Sequence, residues 1–212
     1  MSPDAKRRSQ LALLAAPIVW IGLIGTIALL ASPDPQELSE EVAALVGRDI
    51  VVVGDSLVVD AEPQFRTVLA GTELRIEAAP GRPLSRGLEI DGTLVLDELD
   101  DEPPEIVVIA LARNDIGDDD HAVQVASAMD SFPESCVIWV NGAPAANDAM
   151  RAVNDVIDDA AAQRSNVHVA DWATALDPRT DTWLSERSGA LTDDGRWGFA
   201  RTVADAISTE CL

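Results

Sequence analysis

The sequence predicts an α/β fold: a three-layer α/β/α sandwich around a five-stranded parallel sheet, preceded by one transmembrane helix. Three observations predict it. Five short apolar runs recur along the chain, stretches with helical spacing separate them, and one long apolar segment lies near the start.

That first segment, Leu11 to Ala31, holds only apolar or weakly polar residues. At roughly 1.5 Å rise per residue it reaches across a hydrocarbon core of roughly 30 Å. Leu29, Leu30 and Ala31 precede Ser32, which puts a leucine where a signal-peptidase site takes a small residue, so an uncleaved anchor is expected. Lys6, Arg7 and Arg8 lie before the span, and Asp34, Glu37, Glu40 and Glu41 after it. The positive-inside rule then places the amino terminus in the cytoplasm and the rest of the chain outside. The expected organisation is a cytoplasmic tail (1–10), a transmembrane anchor (11–31), a linker with a short helix (32–46) and one outer domain (47–212).

Composition narrows the function classes. With 15 basic against 37 acidic residues the formal charge is −22. Nucleic acid is excluded as a partner, because phosphate binding needs a basic stripe that this chain does not have. An acidic, solvated surface suits an exported domain. The two cysteines, Cys136 and Cys211, are permitted to pair outside the cytoplasm, but their spacing does not bring them together. No metal-ligand spacing surrounds either, and no cofactor is expected.

In the outer domain, Gln36 to Val46 after Pro33 and Pro35 reads as a short helix. Asp49 to Val53, Leu74 to Glu77, Ile106 to Leu111, Val137 to Val140 and Val167 to Ala170 are runs of strand length. The clearest helical stretch is Asn147 to Gln163, where Met150, Val153, Val156 and Ile157 share a face. Apolar strands alternating with helices indicate a parallel sheet covered on both faces, of the flavodoxin-like kind. Ligands bind such sheets at the carboxyl ends of the strands.

Three strand ends carry chemistry there. The first run ends in Gly54, Asp55, Ser56, a tight turn that presents a serine hydroxyl. The second is followed by Ala79, Pro80, Gly81, Arg82, whose glycine lets a backbone N–H approach a ligand closely. The third ends in Ala112, Arg113, Asn114, Asp115, with a side-chain amide able to donate to a developing oxyanion. Serine, glycine and asparagine in this order resemble the first three blocks of the SGNH (GDSL-like) hydrolases. The closest resemblance is to the domain associated with membrane O-acyltransferases that acetylate cell-envelope glycans. It covers Ile50 to the end and implies Ser56 as the nucleophile position, with Gly81 and Asn114 as oxyanion donors. Ala112 replaces the usual glycine of the third block.

The last block departs further. The family carries Asp-x-x-His before Leu-Thr-x-x-Gly, and this chain reads Arg187, Ser188, Gly189, Ala190, Leu191, Thr192, Asp193, Asp194, Gly195. Arg187 then stands at the acid position and Ala190 at the histidine position. A second register puts Asp194 on the acid and Trp197 on the histidine, and it loses the base as well. Only His121 and His168 exist elsewhere. His168 lies within the fifth run, about 10 Å below the reactive edge at roughly 3.3 Å per residue. His121 is a rim candidate. Asp55, Asp115 or Asp194 can act as bases only if burial raises their pKa. Arg82 and Arg113 flank the oxyanion positions and, with Arg187, give the rim a cationic character suited to a carboxylate or phosphate.

The expected function is therefore that of a membrane-anchored, catalytically degenerate SGNH-like protein. It would bind a cell-envelope glycan or acyl ligand, or regulate a neighbouring membrane acyltransferase. The alternative is an active serine esterase or O-acyltransferase with a rearranged site using His121 or a carboxylate.

Overall fold

The computed structural model describes residues 44–143, 147–185 and 187–212. The expected tail, the anchor and nearly all of the linker helix lie outside the described residues. Among the described residues no helix is long and apolar enough to cross a membrane.

Five parallel strands form one sheet: β1 (Asp49–Gly54), β2 (Glu73–Ala78), β3 (Ile106–Ala110), β4 (Cys136–Val140) and β5 (Val167–Ala170). Their order, β2-β1-β3-β4-β5, is the flavodoxin-like one, with its topological switch between β1 and β3. The helices are α1 (Ser56–Val68), α2 (Gly92–Asp100), α3 (His121–Asp130), α4 (Asp148–Ala161), α5 (Trp172–Leu176), α6 (Thr180–Trp183) and α7 (Asp193–Glu210).

The layers follow from the strands' period of two. Val51, Val53, Val107, Ile109, Val137 and Trp139 pack with α2, α3 and α4 in one core. Ile50, Val52, Ile106, Val108, Ile138 and Val140 pack with α1, α5 and α7 in the other. The central strands are thus apolar on both sides because both sides are covered. β2 is different: its residues alternate exposed and half-buried. It is an edge strand, and Glu73, Arg75 and Glu77 on its outer face discourage pairing with another chain. Helix α4 buries Met150, Val153 and Ile157 as the spacing predicts, and Asn147 caps it by accepting from the Ala149 N–H at 2.9 Å.

Cys136 opens β4 and Cys211 follows α7, and the two form a disulfide across 75 residues of sequence. His168 pairs with Ile138 in the ladder, and its Nδ1 lies 3.1 Å from Glu210 Oε2 near the end of α7. It belongs to the side of the domain away from the strand ends that carry Ser56 and Asn114.

Candidate active site

The strand ends at the switch point build a cleft of about 350 Å3 whose lining includes Ser56, Asp60, Arg113, Asn114, Ser188 and Ala190. Ser56 is exposed and opens α1, so helix geometry leaves its own N–H without an intrahelical acceptor. Asp55, the N-cap, is buried, and it accepts from the Leu57 N–H at 2.9 Å and from Asn114 Nδ2 at 2.9 Å. Burial raises its pKa, opposed by the Leu57 N–H, the Arg113 charge and the Asn114 amide. This carboxylate is therefore spent on ordering the turn and is no free base. Gly54 must be glycine, since a Cβ there would meet Val58 Cγ2 at 2.1 Å.

Gly81 adopts φ +71, a conformation that favours glycine. Its N–H donates to Ser56 Oγ at 3.0 Å, so the β2 loop and the serine are in direct contact. Asn114 donates both amide hydrogens, to Asp55 and to the Arg82 carbonyl at 2.9 Å each. An oxyanion beside Ser56 would share one of these hydrogens. The structure thus brings the three sequence-predicted strand-end residues together.

Two of the arginines separate. Arg113 is exposed and lines the cleft. It also lines an adjoining recess of about 20 Å3, walled by Ala110, Val140, Asn141 and Phe199, which has room for about one water. Arg82 is instead buried and folded back, with Nη1 donating to the Glu77 carbonyl at 2.6 Å. Desolvation lowers its pKa, against the nearby Glu77 charge. It is not on the cleft lining, because its guanidinium supports the β2 loop from behind.

His121 is also absent from the lining among the described residues. It is buried at the start of α3, on the sheet face opposite α1, and lines a different cleft with Asp115, Asp118 and α4. Burial lowers its pKa, opposed by Asp118. Asp115 is buried too, and both its carboxylate oxygens accept from the Leu84 N–H, at 2.8 and 3.0 Å. Burial pushes it up to about 6, against that N–H and Arg86. Its role is to pin the loop after β2.

This gives a testable pH dependence. A carboxyl raised from 3.8 to about 6 in the folded chain binds its proton more tightly folded than unfolded. Its stabilisation is full below pH 3.8 and is lost as pH rises through about 6. Thermal melts at pH 4 and pH 8 should show wild type losing on the order of 2 kcal/mol relative to Asp115→Asn over that interval. Parallel curves would contradict the assignment.

The final block explains itself structurally. Leu184 and Leu191 form a bridge, the Ser185 N–H donates to the Ala190 carbonyl at 2.8 Å, and the Gly189 N–H donates to the Ser185 carbonyl at 2.8 Å. This turn carries Ala190 to the Ser56 cleft. Thr192 caps α7, accepting from the Gly195 N–H at 3.1 Å and donating to the Thr182 carbonyl at 2.7 Å. A Cβ on Gly195 would sit 2.1 Å from the Trp183 carbonyl oxygen. Leu-Thr-x-x-Gly is thus a docking device for the loop and the helix start. Arg187 is exposed on this turn and is not among the cleft-lining residues. The second register fails on position, since Asp194 and Trp197 line a separate groove with Arg179 and Arg201.

Asp60 and Ser188 line the cleft without having been singled out in the sequence. The signal for Asp60 was present: it follows Ser56 by four residues on the helix that Ser56 opens, and that spacing puts both on one face.

Comparison of the folded chain with solved structures shows that its fold is shared with esterases and an acetyltransferase domain. The fold is that of the SGNH-type hydrolases. The catalytic domain of the Streptococcus pneumoniae peptidoglycan O-acetyltransferase A matches with a TM-score of 0.65 at 17% identity, covering 78% of this chain and 95% of that one. A Clostridium thermocellum family 3 carbohydrate esterase matches with 0.62 at 16%, covering 78% and 97%. The esterase EstA of a Pseudoalteromonas species matches with 0.53 at 13%, covering 76% and 96%. No protein-family model matches the sequence, and no curated protein matches it significantly. The SGNH likeness is thus one of fold.

Proposed function

We propose that this chain is a membrane-anchored, extracytoplasmic SGNH-fold protein that is catalytically degenerate. It binds a cell-envelope glycan or acyl ligand at the Ser56 cleft, or regulates its acylation by a neighbouring membrane acyltransferase. One observation carries the reading: the final block brings Ser188, Gly189 and Ala190 to the cleft, with Ala190 at the histidine position, and none of the three carries an imidazole or carboxylate. A serine without a base is a weak nucleophile at neutral pH. In serine hydrolases the histidine is worth on the order of a millionfold in turnover, and oxyanion hole and binding leave roughly a thousandfold over water. The Cys136–Cys211 disulfide supports an oxidising compartment, and the Leu11 to Ala31 segment supports the anchor. The solved acetyltransferase and carbohydrate esterase with this fold support an envelope-glycan setting.

A second reading is favoured by Asp60. Asp60 lies on the same helix face as Ser56 and lines the same cleft, and unlike Asp55, which accepts from the Leu57 N–H and from Asn114, it is placed to accept a proton there, directly or through a water. The two readings separate in an ester assay on the full-length protein. Degeneracy predicts that p-nitrophenyl acetate hydrolysis is the same for wild type, Ser56→Ala and Asp60→Asn. Turnover lost in both variants, by roughly a hundredfold or more, would establish the Asp60-assisted esterase instead.

A further inference from the structure

Away from the Ser56 cleft, α6 and one face of α7 enclose an open groove of about 570 Å3. We propose that this groove binds a neutral saccharide, with Trp197 as the surface on which the sugar ring stacks.

Among the described residues the other aromatic side chains serve the core. Phe65, Phe132, Phe199, Trp139 and Trp172 are buried, and Trp183 is half-buried against Trp172, with ring centroids 5.6 Å apart. Trp197 alone is exposed, at 37%. It follows Asp194 by three residues and precedes Arg201 by four, so carboxylate, indole and guanidinium lie along one face of α7. Phe199, Val203 and Ile207 take the core side of the same helix. The Arg201 guanidinium stands over the Trp197 ring, 5.7 Å from its centre, so one face of the indole already carries a cation and a sugar ring would stack on the other.

The facing wall is Trp183, with the Arg179 guanidinium 4.8 Å over its ring. Two glycines of α7 hold that wall in place. A Cβ on Gly195 would meet the Trp183 carbonyl oxygen at 2.1 Å, and one on Gly198 would meet the Trp183 ring at 2.5 Å. Each glycine inside a helix is less favourable than alanine by roughly 1 kcal/mol. Both stand where the absence of a Cβ lets the groove's two walls approach.

The chemistry fits one class of ligand. A pyranose has an apolar C–H face bounded by a rim of hydroxyls. An exposed indole receives the face, carboxylates accept from the hydroxyls, and guanidiniums donate to them. Asp194 and Asp205 balance Arg179 and Arg201 along the lining, a local neutrality in a chain whose formal charge is −22. An anionic ligand would meet the repulsion of the whole domain without a local cationic excess to offset it, whereas a neutral, hydroxyl-rich ligand meets none. The groove and the Ser56 cleft have no lining residue in common, so this site stands independently of whether Ser56 is active.

The test is calorimetric titration of the full-length protein, in lipid nanodiscs free of sugar detergents, with cellotetraose, chitotetraose and tetragalacturonate. Saturable binding of at least one neutral tetrasaccharide is expected. Trp197→Ala should weaken it about tenfold or more, and Trp197→Phe should stay within about threefold because a ring remains. Trp197 is exposed, so an unchanged melting temperature certifies that the alanine variant is folded. No saturable heat from either neutral sugar, equal affinity in Trp197→Ala, or tighter binding of the acidic tetrasaccharide would each overturn the proposal. None of these outcomes bears on ester hydrolysis at Ser56.

Discussion

Ala190→His combined with Arg187→Asp is expected to hydrolyse p-nitrophenyl acetate at least about a hundredfold faster than the natural chain, the low end of what a positioned general base contributes. Adding Ser56→Ala should remove the gain. The expectation rests on position. Ala190 is half-exposed, lines the same cleft as Ser56, and is held by backbone bonds that a new side chain leaves intact: its carbonyl accepts from the Ser185 N–H, and its N–H donates to Ser188 Oγ at 3.3 Å. The cleft has about 350 Å3, enough for an imidazole. Gly81 already contacts the serine, so under the proposed reading the acceptor of the serine proton is the part to be supplied. A steady-state assay of the three chains decides it, and a double variant no faster than wild type would remove Ala190 from the histidine position.

Opening the disulfide is expected to have the largest effect on stability. Cys136 and Cys211 close 75 residues of chain, and in the chain-entropy account such a loop contributes about 4 kcal/mol. The bridge ties the start of a central strand to the last residues of α7, the helix whose first turn docks the loop that carries Ala190. Cys136→Ser with Cys211→Ser, or reduction with dithiothreitol, should lower the melting temperature by roughly 10 °C. An unchanged melt under reducing conditions would show that α7 is held by packing alone. Phe199, Val203 and Ile207 do hold it in part, so a folded but less stable chain is expected.

Much of this architecture was legible because parallel sheets advertise themselves. Val51 to Val53 and Val107 to Ile109 are apolar at every position since both faces are covered, and one-dimensional hydropathy records that directly. The strand-end rule then assigned Ser56, Gly81 and Asn114 to one edge, and the order β2-β1-β3-β4-β5 places them around the switch point. Leu74 to Glu77 reads as one of the apolar runs, but β2 is an edge strand with one face against solvent, and only Leu74, Ile76 and Ala78 pack inward.

The less legible features depend on three-dimensional paths. Whether Cys136 meets Cys211 depends on where α7 ends relative to β4, which no local pattern encodes. Arg82 and Arg113 look equivalent as neighbours of oxyanion positions. Arg82 turns back to a carbonyl of the preceding strand and Arg113 faces the cleft, a choice made by the loop's backbone. His121 follows Asn114 by seven residues, yet it lies across the sheet, because α3 packs on the face opposite α1. Asp60 is not legible as a site residue, because a single aspartate on an amphipathic helix reads as a solvated residue and only the fold sets it in the cleft.

The most direct test of the proposal that the Ser56 cleft holds no base able to activate the serine is intact-mass analysis. The full-length protein is exposed to excess p-nitrophenyl acetate at neutral pH, quenched in acid, and the acetyl group located by peptide mapping. No acetyl group is expected on Ser56 in the natural chain. Rapid, stoichiometric acetylation of Ser56 in the natural chain would contradict it.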